Sequence, residues 1–292
     1  MLVNKANLAG IYTSFSTLFN EALQTAEVIW SKVATLAPST GSQNDYKWLG
    51  AFPMLREWIA ERYIKSLEGL GYSIVNKDYE ATVEVDKNDI EDDQVGVYRP
   101  VIQALGANAA VHPDKLIFEL MVAGFDTDCY DGQFFFDTDH PVAGAGVSND
   151  GGGGGNPWFL LDTSKFIMPF IYQERKKPEF VAIEDPQSES VFKRRKFQYG
   201  VDYRGAVGYA LWQLAYGSKD TLSAANFEAG FQAMMAFKND EGIPLGIKPT
   251  LLVVGPSNRA AALEILVAER LANGETNVNR GSAELLLTPW LI

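Results

Sequence analysis

The chain is almost without cysteine: Cys129 is the only one in 292 residues. It cannot form an intrachain disulfide, and a reducing compartment is the default setting. Histidine is nearly as scarce, with only His112 and His140, which leaves a Ser-His-Asp scheme few bases to draw on. No apolar run is long enough to span a bilayer. The first residues lack a charged segment followed by a long apolar one, so no signal peptide is expected. Basic residues are in deficit. Lys and Arg number 25 against 37 Asp and Glu, a formal net charge of −12. Bulk charge therefore argues against a protein that grips nucleic acid, which needs a basic face. One short cluster, Lys193-Arg194-Arg195-Lys196, interrupts the deficit and reads as a solvated strand or turn. Phosphate-binding signatures are missing too. The glycine-rich run at 142–157 has no Lys-Ser/Thr pair behind it, and no G-x-G-x-x-G opens a helix there. It reads as a flexible surface loop.

What is present is apolar residue in plenty, 47%, enough for one large domain or two ordinary ones. The strongest helical signal runs from Asp89 to Gly124. It opens on Asp89, Glu91, Asp92 and Asp93, which suit a helix N-terminus, and carries Val97, Val101, Leu105 and Ala109 at helical spacing. Pro100 and Pro113 predict a kink or restart near each. Residues 1–47 read as an arm, with an amphipathic helix in Ala6–Leu23 that packs on something other than its own domain. Trp48–Gly71 predicts a helix with Leu55, Ile59, Tyr63 and Leu67 on one face. Tyr72–Val85 reads as a β-hairpin: Tyr79, Ala81, Val83 and Val85 alternate with polar residues, and Asn76-Lys77-Asp78 supplies turn chemistry. Trp158–Tyr216 is rich in strand formers and predicts one sheet for the long helix to lie on. From Thr221 the pattern becomes helix, strand, helix, strand. Ser223 serves as an N-cap, Gly242 as a stop, and Thr250–Val254 as a buried strand.

Phe125–Pro141 gathers Asp126, Asp128, Asp131, Asp137, Asp139 and His140. An EF-hand register counted from Asp126 fails, because Tyr130 takes a ligand position and Gly132 falls one residue late. A Cys129–His140 dyad lacks a visible third partner. A turn-rich connection is expected here, with Asp side chains bonding the local backbone. No catalytic, metal or cofactor residue is assigned.

Several separated segments resemble one family in order along nearly the whole chain. FKNDEGIPLGIKPTLLVVGPSNRAAALEIL and DGQFFFDTDHP resemble tailed-phage major capsid proteins. WLGAFPMLREW, NKDYEATVEVDKNDIEDD, HPDKLIFELMVAGF and the run from WFLLDTSKF to FQYGVDYRGAVGYALWQLAYGS look like the major head subunit of Mu-like phages and prophages. The resemblance implies an α+β chain of the Hong Kong 97-type capsid fold. It would comprise an N-terminal arm at 1–47, a helix and extended hairpin loop at 48–88, a peripheral domain with the spine helix at 89–220, and an axial domain at 221–292. The implied contact with a neighbouring subunit is the hairpin, through Lys77, Tyr79, Ala81, Val83 and Val85. The implied partners are further copies in hexameric and pentameric capsomers, a scaffold protein, a portal, a decoration protein, and double-stranded DNA enclosed without sequence specificity, with no membrane. The implied location is the virion, reached from the bacterial host cytoplasm. The competing readings are a phage tail or adaptor component and a hydrolase using His140.

Overall fold

The computed structural model describes residues 2–47, 49, 71–271 and 274–291; all but two residues of the helix expected at Trp48–Gly71 lie outside these. The first helix, α1, is Lys5–Thr25. The Asn4 side chain accepts from the Asn7 amide and caps it. Its apolar stripe, Leu8, Ile11, Phe15, Leu18 and Phe19, is buried. Strands β1 (Ala34–Pro38), β2 (Gln43–Asp45), β3 (Ser73–Val75) and β4 (Lys77–Asp86) follow, then the short helix α2 (Lys87–Glu91) and the long helix α3 (Arg99–Ala123). The long helix therefore starts ten residues later than the acidic run suggested. Pro100 lies in its first turn, where its missing N–H costs nothing. Pro113 is inside it, and the helix continues through. At 25 residues α3 spans about 37 Å.

Beyond α3 come β5 (His140–Val142), β6 (Ala145–Val147), β7 (Asp150–Gly153), β8 (Trp158–Leu161), β9 (Phe170–Ile183), α4 (Glu189–Arg194), β10 (Lys196–Tyr209), β11 (Ala215–Lys219), α5 (Ala224–Met235), β12 (Leu251–Val254), α6 (Arg259–Leu266) and β13 (Glu284–Leu287). Two larger sheets organise most of them, beside the two-stranded pairs β2-β3 and β5-β6. One has the order β1-β9-β10-β4, the other β13-β12-β8-β11-β7. In the first, β1 lies parallel to β9, while β9, β10 and β4 are antiparallel in turn. Helices α1 and α3 cover one face of it. They approach so closely that a Cβ on Gly106 would stand 2.4 Å from the Phe19 carbonyl oxygen.

The structure corrects five expectations. Tyr72–Val85 is not a hairpin. β3 pairs with β2, and β4 pairs with β10, Tyr79 opposite Tyr203 and Val85 opposite Phe197. Asn76 is not at a tip: it is buried, its amide donating to Ser39 Oγ and Gly41 O and accepting from Gln173. The arm packs on its own chain, because α1 shares a core with Val85, Ile90, Ile102, Leu105, Phe180 and Phe197. The strand-rich stretch 158–216 is divided. β8 and β11 are short, mostly buried on both faces, and enter the five-stranded sheet; β9 and β10 are 14 residues each and run in the other. Finally, a boundary at 220/221 cuts that five-stranded sheet, since β12 of the later part pairs with β8 of the earlier. The glycine-rich run also holds a strand: β7 runs parallel to β11, and Gly153, at φ +96, sits where a Cβ would come 2.2 Å from the Asp220 amide nitrogen.

Candidate functional site

Past the C-terminus of α3, the chain folds the segment 125–149 into a compact polar knot. The Cys129 amide donates to the Gln133 carbonyl at 2.7 Å and closes a turn in which Gly132 has φ +83. That turn directs Asp131 inward. Its Oδ1 accepts from Cys129 Sγ at 3.1 Å and from the Gln133 amide at 3.2 Å; its Oδ2 lies 2.7 Å from His140 Nδ1. His140 opens β5, is fully buried, and stacks on Trp212 with ring centres 3.9 Å apart and planes 8° from parallel. Its Nε2 meets Asn149 Oδ1 at 3.1 Å. The Asn149 amide nitrogen donates to the carbonyls of Phe135, Trp212 and Ala215.

The sequence shows no third partner for Cys129 and His140; the structure supplies Asp131, with Asn149 behind it. The C-x-D spacing before a histidine was visible, but Asn149 lies in the glycine-rich run and carried no local signal. The arrangement is not that of a nucleophile and its base. The thiol donates to a carboxylate standing between it and the imidazole, and burial, then the Asp131 charge, pushes the Cys129 thiol far above its ordinary range. Burial also disfavours ionised Asp131, but hydrogen bonds from His140, Cys129 and the Gln133 amide outweigh it and hold this carboxyl below the usual range.

The five residues expected at a subunit contact lie along β4, and most face inward. Val85 is fully buried and Val83 packs on the same core as α1. Tyr79 stacks on Tyr203 at 4.9 Å and meets the His112 ring edge-on. Tyr203 in turn hydrogen-bonds His112 Nδ1; burial, with Lys115 adding, holds His112 below its ordinary range. Only Lys77 and Ala81 are exposed. Val85 is therefore a core residue of this chain, and Tyr79 and Val83 are half-buried beside it: the alternating face is covered in part by α1 and α3.

The family model for the Mu-like prophage major head subunit gpT matches residues 8–291. The major capsid protein of Escherichia phage Mu is 39% identical over all of this chain and all of its own. This chain belongs to the family of Mu-like major head subunits. Among solved structures, the procapsid of bacteriophage JBD30 holds a chain 45% identical to it, matched with a TM-score of 0.88 over 99% of this chain and 100% of that one. The JBD30 capsid decorated with minor capsid protein trimers gives 37% identity and a TM-score of 0.80, over 94% of each chain. The Hong Kong 97-type α+β fold implied by the sequence is thus shown, and the family's proteins are structural, not enzymes.

Other polar and charged side chains find structural uses within the subunit. The basic cluster is ion-paired inside the chain: Lys193 to Glu189, Arg194 to Glu84, Lys196 to Asp86. Asn277 is buried, and its amide donates to the carbonyls of Glu264, Ile265 and Ala268 at the end of α6. Among the described residues, no helix is long and apolar enough to cross a membrane.

Proposed function

We propose that this chain is the repeating subunit of a phage head, a major capsid protein that assembles with its own copies into the icosahedral shell around packaged DNA. The observation that carries the reading is similarity over the full length of both chains to a named major capsid protein, joined to a full-length structural match to a procapsid subunit. Hexameric and pentameric capsomers, a scaffold protein, a portal and assembly in the host cytoplasm belong to this proposal. So does decoration, which the JBD30 relative's capsid carries as minor capsid protein trimers. The net charge of −12 supports enclosure of DNA without adhesion, since like charge repels the packaged polyanion.

The division of labour follows the family reading with two changes. The first is that Tyr72–Val85 gives up the extended-loop role, because β3 pairs with β2 and β4 with β10. Lys77 and Ala81, exposed on β4, stay available to a neighbour. The second is that the axial part takes in the five-stranded sheet together with α5 and α6, in place of a cut at 221. Electron microscopy of the chain co-expressed with its scaffold tests the function. Closed shells or capsomers are expected; tubes, rings or a small oligomer with turnover would overturn it.

A further inference from the structure

The knot behind α3 holds more polar groups than a turn-rich connection requires. Asn149 cannot be flipped, because its nitrogen serves three carbonyls and its Oδ1 also accepts from the Asp137 amide at 2.9 Å. His140 Nε2 must therefore donate to Asn149. Its Nδ1 then stands 2.7 Å from Asp131 Oδ2. A lone pair there would oppose a carboxylate oxygen, so a cation has to lie between the two: a proton or a metal. Cys129 Sγ stands beside the other Asp131 oxygen, and the donor atoms of the three residues all lie within 4.8 Å of one another.

We propose that Cys129, Asp131 and His140 form a binding site for a zinc-class divalent cation. The charge balance allows it. The proton-filled knot holds one hydrogen on Sγ and one between Nδ1 and Oδ2, with a carboxylate, and is neutral. Replacing those two hydrogens by one Zn²⁺ leaves thiolate, carboxylate and neutral imidazole, again neutral, with two protons released to solvent. No net charge is left in a buried place, so the main electrostatic cost of a buried metal is absent. The outer contact is the one metal-bound histidines use, the second ring N–H donated to a fixed carbonyl oxygen, here that of Asn149. Thiolate with imidazole selects zinc over magnesium or calcium. The 2.7 and 3.1 Å spacings run to the two different oxygens of Asp131, and zinc bonds are about 2.0–2.3 Å long. Filling the site therefore requires the carboxylate to turn or shift so that it meets the metal together with Sγ and Nδ1. Asp131 can move to allow this, because it lies on a turn whose Gly132 is exposed. A filled site would rivet that turn to β5 and, through Asn149, to the strand β7 beyond it.

The test is titration of the chelator-stripped, full-length subunit with Zn²⁺ and with Co²⁺. About one equivalent should bind with about two protons released, and the cobalt form should show thiolate-to-metal charge-transfer absorption. His140→Ala risks the fold, so Cys129→Ser carries the comparison. With unchanged circular dichroism, it should lose the cobalt band and bind zinc at least about 100-fold more weakly. No stoichiometric binding by the parent chain, or equal binding by Cys129→Ser, would overturn the site.

Discussion

The two larger sheets among the described residues are built on opposite plans. In the five-stranded sheet, β8 and β12 bury every residue, WFLL and LLVV. Residues of both parities are inside, so both faces are covered. The Phe125–Phe136–Phe159 cluster packs on it, and α5 approaches until a Cβ on Gly230 would stand 2.7 Å from the Tyr216 ring. In the four-stranded sheet, the long strands alternate along much of their length. One face lies under α1 and α3, and the other exposes Glu80, Thr82, Glu84, Val181 and Ile183. The first plan gives a centre buried on both faces. The second gives a long, one-sided plate that packs on its helices and exposes its other face in this chain.

Substitution should separate the two plans. The largest effect is expected for Trp158→Ala, which empties a fully buried site and orphans the Asp220 carbonyl that the indole N–H bonds at 2.9 Å. It should cost about 3–5 kcal/mol in equilibrium denaturation and reduce soluble yield. On the plate, Val83→Asp should cost about 1.5–3 kcal/mol in the unassembled subunit. Glu84→Gln on the opposite face should stay within about 0.5 kcal/mol. A Val83→Asp subunit as stable as the parent would mean α1 and α3 do not cover β4. Gly106→Ala puts a methyl against the Phe19 carbonyl and should cost about 1–3 kcal/mol. Proteolysis should then cut α1 first, while the five-stranded sheet stays protected.

The smallest expected effects are in pH dependence, where two buried carboxylates oppose one another. Asp131 is held below its ordinary range, so its contribution is present above an unfolded value near pH 3.9 and is lost as pH falls through its folded value. Asp114 in α3 behaves the other way. Burial raises it, although its carboxylate accepts from the Ile29 and Trp30 amides and ties the start of the arm's exit to the helix. It favours folding below the unfolded value and loses that contribution as pH rises through the raised one. Asp131→Asn should flatten the acid limb of a stability–pH curve and Asp114→Asn should lift its neutral side, as chemical denaturation across pH 3–7 would show.

Several local elements were legible in the sequence. Ser223 caps α5 as its position predicts, accepting from the Asn226 amide. The LLVV run is a buried strand, and the alternation of Tyr79 to Val85 is a strand with one inner face. What alternation does not carry is the identity of the cover. The partner of β4 is β10, more than a hundred residues later, and Asn76-Lys77-Asp78 reads as a turn because Asn and Asp suit turns. Here Asn76 spends its amide on Ser39, Gly41 and Gln173 instead. The knot was half legible: Cys129, Asp131 and His140 stood close in sequence, but the inward direction of Asp131 depends on the turn at Gly132. The helix stop expected at Gly242 falls instead at Met235, and Gly242 serves a later turn at φ +77.

Hydrogen exchange along β4 puts the central point to the test: that this strand belongs to the subunit's own core and is not completed by a neighbour. Amides of β4 that bond β10 should be as slow to exchange in the unassembled subunit as those between β9 and β10, and assembly into shells should leave them unchanged. Fast exchange along Tyr79–Val85 in the free subunit, becoming slow only in shells, would contradict it.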